Sequence, residues 1–195
     1  MENIMKKFAL ALSFLLALLV FAACTTPPTE EMNNAQDAVT RAENNADAVT
    51  FAGNTLIRAR DALTRMYNEA EAKRYEDAKN LAAEAITLAE RAIEEGMIAA
   101  IRARDEAVAL LHGLAGPLEE TSGALNAAGQ DESLDLDVNG LSSDLDSAYR
   151  SYGEAQQQIQ DSNFQGAIAN GHYVRSTISG INAAITTAAQ ASRQK

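Results

Sequence analysis

The chain has 195 residues, a formal net charge of −11, no tryptophan and one cysteine. Such acidity argues against nucleic-acid binding and against anionic lipid surfaces as partners, and a single cysteine excludes an intramolecular disulfide. The length suits one domain or two small ones, and abundant Ala with Glu, Gln, Leu and Arg favours helix throughout.

The chain opens with Met1–Lys7, carrying Lys6 and Lys7, and continues into the apolar run Phe8–Ala23. That run is short for a membrane span, which needs about 20 apolar residues. It ends Val20-Phe21-Ala22-Ala23-Cys24 and turns polar at Thr25-Thr26-Pro27-Pro28. A charged start, a short apolar core and small residues before the cut describe a secretory signal over residues 1–23. With Cys24 directly after Ala22-Ala23, the segment resembles a bacterial lipoprotein signal, although Phe21 stands where that family usually has Leu. The resemblance implies that the leader is removed and that Cys24 carries a covalent lipid, which anchors the chain without a protein span. Thr25 rather than Asp after the cysteine implies the outer membrane, facing the periplasm. Residues 24–29 then form the lipidated tether.

The first helix is expected from Glu30 to Ala52, with Ala35, Ala38, Ala42, Asn45 or Ala46, Val49 and Ala52 along one stripe. Gly53-Asn54 should break it, and Asn54 should cap the next helix, whose stripe is Leu56, Ala59, Leu63, Met66 and Ala70. A tight link near Ala72–Arg74 leads into the longest element, Tyr75 to Leu114. Its seam reads Tyr75, Ala78, Ala82, Ala85, Ala89, Ala92, Gly96, Ala99, Ala103, Ala107, Leu110 and Leu114. This near-unbroken alternation of three and four makes a narrow stripe of mostly small residues that a partner helix can approach closely. Gly113-Leu114-Ala115-Gly116-Pro117 reads as a stop and restart.

The remainder repeats the plan at a shift of 89 residues. Pro28-Thr29-Glu30-Glu31 falls on Pro117-Leu118-Glu119-Glu120, Ala35 and Ala38 on Ala124 and Ala127, and Leu56 and Ala59 on Leu145 and Ala148. Tyr75 and Ala78 meet Phe164 and Ala167, and Ala82, Ala85, Ala89 and Ala92 meet Gly171, Val174, Ile178 and Ile181. Between the two helices of this second half, Ser162-Asn163 supply a turn and a cap. The expected fold is therefore all-α. It is an elongated antiparallel bundle of long Ala-rich helices in two tandem helical-hairpin units, 30–116 and 117–195, packed as one bundle. An internal duplication is favoured over chance similarity of alanine-rich helices.

The runs "AQDAVTRAENNADAV", "FAGNTLIRARDAL" and "RYEDAKNLAAEAITLAERAI" resemble an Ala-rich helical domain of envelope lipoproteins that often stands ahead of an OmpA-like module. The resemblance covers roughly residues 30–95. No such module follows here, so peptidoglycan binding does not carry over.

The sharpest local pattern is Asp135-Leu136-Asp137-Val138-Asn139-Gly140, continuing through Ser142, Ser143 and Asp144 to Asp146. It fits a calcium loop with Asp135, Asp137, Asn139, Leu141, Ser143 and Asp146 as ligands and Gly140 at the sharp turn. Against it, Asp146 is shorter than the usual bidentate Glu, and Ser142 stands where an apolar residue normally packs. The competing reading is an acidic turn in which Ser142 or Ser143 caps the following helix. His112 and His172 share no metal spacing, and His112 suits a helix C-terminus. No nucleophile motif or phosphate loop occurs. Glu69, Glu71, Glu84, Glu90, Glu94 and Glu95 interleave with Lys73, Lys79, Arg91 and Arg102 as on a solvated helix face. Tyr149, Tyr152, Phe164 and Tyr173 gather about the second hairpin, as core or as an exposed patch.

The sequence thus points to a non-enzymatic cell-envelope lipoprotein with a structural or protein-interaction role. The expected partners are the membrane, through its lipid, and another envelope protein, with self-association along the seams open. Calcium-dependent or small-solute binding is the alternative.

Overall fold

A computed structural model describes residues 26–194, so the leader, Cys24 and the first tether residues lie outside the described residues. Within that range the chain is all-helical, with six helices and no strand among the described residues. They are α1 (Thr29–Glu43), α2 (Ala46–Phe51), α3 (Gly53–Glu71), α4 (Tyr75–Gly129), α5 (Val138–Gln160) and α6 (Phe164–Ser192). The chain divides into two compact units between Met97 and Ile98, a point inside α4.

Unit 1 holds α1, α2, α3 and the first part of α4. The helix expected over 30–52 is interrupted at Asn44-Asn45, because asparagine side chains compete with the helical backbone. Asn45 uses this directly: its side-chain oxygen accepts the Ala48 N–H at 2.8 Å and starts α2. Asn54, expected as a cap, sits inside α3; Ala52 holds the cap position without a side-chain bond. The core is a run of small residues at helical spacing, including Ala35, Ala42, Ala59, Ala78, Ala85 and Ala89, all fully buried around Met66. Small side chains bring backbones together. A Cβ on Gly96 would stand 2.5–2.7 Å from backbone atoms of Asp47 and Ala48, so only glycine fits that crossing of α4 by α2.

Unit 2 holds the rest of α4 with α5 and α6. The expected stop at Gly113–Pro117 is not taken: α4 runs on to Gly129 with Pro117 inside it. Proline in a helix interior costs about 3 kcal/mol. Leu110, Leu111, Leu114, Leu118 and Leu125 continue the buried stripe on both sides of it. At roughly 1.5–3 kcal/mol for each buried leucine, keeping the helix continuous outweighs the proline. Leu110, Leu114, Leu118 and Leu125 cluster with Leu145 of α5 and Val174, Ile178 and Ile181 of α6, and Leu111 clusters with Ala155 of α5 and Ala167 of α6. Thr121 is the one buried polar residue among those described; its hydroxyl accepts an N–H from Asn182 at 3.0 Å.

The two hairpins share one turn. The α3–α4 and α5–α6 links end their first helix at Glu71 and Gln160 and begin the next at Tyr75 and Phe164, each pair 89 apart. Lys73 and Ser162, with φ of 60° and 59° the two non-glycine residues of positive φ among the described residues, are 89 apart as well. Their backbone bonds correspond one for one: Ala72, Lys73 and Arg74 donate to Asn68, Ala70 and Glu69, and Asp161, Ser162 and Asn163 donate to Gln157, Ile159 and Gln158. Buried Leu56, Ala59 and Ala78 meet buried Leu145, Ala148 and Ala167. The correspondence stops at the leading helix. Ala124 and Ala127, paired by sequence with buried Ala35 and Ala38, are exposed, and Thr121, Leu125 and Ala128 face inward instead.

Candidate interaction surfaces

The acidic turn has a helical backbone over most of its length. Helix α5 starts at Val138, so Asn139, Leu141, Ser143 and Asp146 lie within its first turns, where steps of two residues turn the chain by about 200° and alternate faces rather than converge around a loop. Leu141 packs toward the unit 2 core, its carbonyl committed to a helix. Asp137 is the cap: its carboxylate accepts the Gly140 N–H at 3.0 Å, a role expected for Ser142 or Ser143, which lie inside α5. Gly140 does not make the left-handed turn of an ion loop, since no described glycine has positive φ. It leaves room for the capping carboxylate, which a Cβ there would strike. Asp135 lies upstream, outside the helix. The six residues do not take the twelve-residue loop conformation that their spacing suggests. No group of three or more His, Cys, Asp or Glu side chains is placed to hold a metal among the described residues.

Neither histidine marks a site. His112 is exposed in the middle of α4, because the helix does not end beside it, so the expected partnership with a helix C-terminus is absent. His172 lines an open groove with Glu106, Ala109, Leu110 and Arg175. The aromatics divide. Tyr149 and Tyr152 pack on the unit 2 core, and the Tyr149 hydroxyl donates to Glu119 Oε1 at 3.1 Å. Burial, followed by the Glu119 carboxylate, pushes the Tyr149 hydroxyl above its ordinary pKa. Tyr173 faces outward.

The interleaved charges are surface pairs. Arg91 and Glu95 meet at 2.6 Å, Arg60 and Glu43 at 2.6 Å, and Lys79 and Glu31 at 3.7 Å. Arg74 pairs with Glu69 across the first hairpin turn. Surface pairs of this kind add little to stability, because water and salt screen them. Glu95 also accepts the Thr55 hydroxyl at 2.6 Å; that bond first, and Arg91 second, hold its carboxyl below the ordinary carboxylate range. The hydrogen bond from Arg74 does the same for Glu69. Three- and four-residue spacing announced the pairs along one helix; Thr55–Glu95, 40 residues apart, left no sequence signal.

A groove of about 560 Å³ in unit 1 lies open between α1 and α4 and is lined by Asn34, Asp37, Ala38, Thr40, Arg41, Ile86 and Glu90. It is wide open and carries charged and polar side chains beside Ala38 and Ile86, unlike the enclosed apolar pockets that hold small molecules. What stands out is exposed apolar surface. In unit 1, Val49, Ile57 and Met97 are exposed. The α2–α3 corner with Phe51 and Ile57 forms a groove that reaches Glu95. In unit 2, Ile98, Ile101 and Val108 project from α4, with Ile101 52% exposed. At 100° per residue these three lie within an arc of about 80°, turned away from buried Ala103, Ala107 and Leu110. No described helix is long and apolar enough to cross a membrane.

A family model described as a domain of unknown function (DUF4398) matches residues 30–108, from the start of α1 to the middle of α4. No curated protein and no solved structure matches the chain.

Proposed function

We propose that this chain is a cell-envelope lipoprotein that holds another envelope protein through its helix faces and performs no catalysis of its own. The carrying observation is the row Ile98, Ile101 and Val108 on one face of α4. Single exposed aliphatics are ordinary, but several aligned along a helix present the kind of strip that a partner helix covers. Arg102 and Arg104 are exposed on its two sides and Asp105 lies on the same face between Ile101 and Val108, which suits a partner that is itself water-soluble and carries a polar or basic group opposite Asp105. The leader and Cys24 support the location: outer membrane by lipid, body in the periplasm.

Two experiments test the two halves of this reading. Metabolic labelling with a fatty acid should mark the chain and fractionate it with membranes, and Cys24→Ala should remove both label and membrane association. An unlabelled wild-type chain would end the lipoprotein reading. A photo-crosslinker at Ile101 should trap one discrete envelope protein in living cells, with far less product from Arg150 on α5 as control. Ile101→Glu with Val108→Glu should abolish capture from a crosslinker at Ile98; equal capture from every exposed position would end the interaction reading.

A further inference from the structure

We infer that α4 carries a built-in breakpoint at Gly113–Pro117, and that the stretch beyond it, Leu118–Gly129, opens from unit 2 as a separate piece. Pro117 has no N–H to give the Gly113 carbonyl, and its ring crowds that carbonyl, so the helix lacks one rung there. Gly113 and Gly116 add two residues that lose the most freedom on becoming helical. Packing does not ask for either glycine: nothing lies within 4 Å of a Cβ built on Gly113 or Gly116, and both are exposed, as is Pro117. Three poor helix formers thus sit within five residues at positions where alanine would fit.

The helix survives because both flanks are held. Leu110, Leu111 and Leu114 fix the upstream side, and Leu118, Thr121, Leu125 and Ala128 fix the downstream side. The flanks are not equally secured. Upstream, α4 is continuous back to Tyr75; downstream it ends at Gly129 and runs into non-helical residues 130–137. A short piece with a weak rung at one end and a non-helical connection at the other forms its own opening unit. Leu118 and Leu125 share a cluster with Leu145, Val174, Ile178 and Ile181, so its departure bares apolar side chains of α5 and α6. The row Ile98, Ile101 and Val108 lies upstream and stays in place.

Hydrogen exchange on the full chain in detergent reads this directly. Amides of Leu118–Ala128 should exchange at least tenfold faster than those of Ala100–Leu111, and a Gly116→Ala/Pro117→Ala variant should close the gap. Gly113→Ala alone should narrow it. Equal protection on both sides in the wild-type chain overturns the breakpoint. So does a gap that survives the double substitution, which would mark ordinary fraying from the Gly129 end.

Discussion

The two units build one hairpin turn and two different cores. In unit 1 the positions after the turn are Ala82, Ala85, Ala89 and Ala92, and in unit 2 their equivalents are Gly171, Val174, Ile178 and Ile181. All of these positions are buried. Alanine gives little area to bury, so unit 1 gains its contacts by bringing backbones close, down to the crossing at Gly96. Unit 2 fills its seam with aliphatic side chains, those of Leu110 and Leu111 packing onto Gly171, and the counterpart of Gly96 is the half-buried Ile185. A shared turn sets which helices pair; side-chain size sets how closely. Turn geometry and core volume are thus separable properties of a helical hairpin, even at a fixed register of 89 residues.

Exchanging core residues should break the comparison most sharply. Ile181→Ala leaves a cavity in unit 2 and should cost about 2–5 kcal/mol in denaturant unfolding. The reverse change at the equivalent site, Ala92→Ile, has no room and should cost about 1–3 kcal/mol by overpacking. If Ala92→Ile were neutral or stabilising, unit 1 would not be close-packed.

Gly96→Ala sharpens the same point with a single methyl group. Alanine should raise helix propensity by about 1 kcal/mol, yet the added Cβ meets backbone rather than a flexible side chain. We expect a net loss of about 1–3 kcal/mol. Ile185→Ala at the counterpart should cost less than Ile181→Ala, because Ile185 is only half-buried.

These positions also show what the sequence could and could not tell. The seam from Tyr75 to Leu114 was legible because three- and four-residue spacing is dictated by the helix itself. The 89-residue register was legible at the hairpins, where turn and seam repeat together. It was misleading at Ala124 and Ala127, since alanines in a helix match one another in more than one register. Gly113–Pro117 read as a stop because local propensity was weighed without Leu118 and Leu125, whose burial lies beyond it. The acidic run read as an ion loop because ligand spacing cannot reveal that its backbone is already helical from Val138. Gly96 could be seen as a gap in an alanine seam, but its crossing partner Ala48 could not.

The acidic turn offers a smaller and cleaner test. Asp137→Ala removes the α5 cap and should cost about 1 kcal/mol. The loss should be the same with and without millimolar calcium, and calcium should not raise the wild-type melting temperature. A calcium-dependent loss would mean that the loop rearranges around an ion. Asn45→Ala in unit 1 removes the equivalent side-chain bond from α2 and should cost a similar amount, which makes it the natural control.

The smallest effects lie in the surface carboxylates, where comparison reduces to one group in each setting. Glu69 and Glu95 in unit 1 have lowered pKa values because each accepts hydrogen bonds when charged, first from Arg74 and Thr55 respectively. Asp131 in unit 2 is lowered by the Ser133 hydroxyl and N–H. A depressed folded-state pKa adds stability above the ordinary carboxylate pKa, and that increment disappears as pH falls through the depressed value. Asp131 is exposed and Glu69 and Glu95 are only partly covered, so water and salt screen the gain and the global stability should barely change. Site-resolved carbon NMR titration isolates it. Thr55→Val should raise the Glu95 pKa towards the ordinary range, with Arg91 and Arg58 still holding it down, while Glu69 and Asp131 stay where they are. If Glu95 instead keeps its depressed pKa, Arg91 is the dominant partner and the 40-residue link between α3 and α4 is not made in solution.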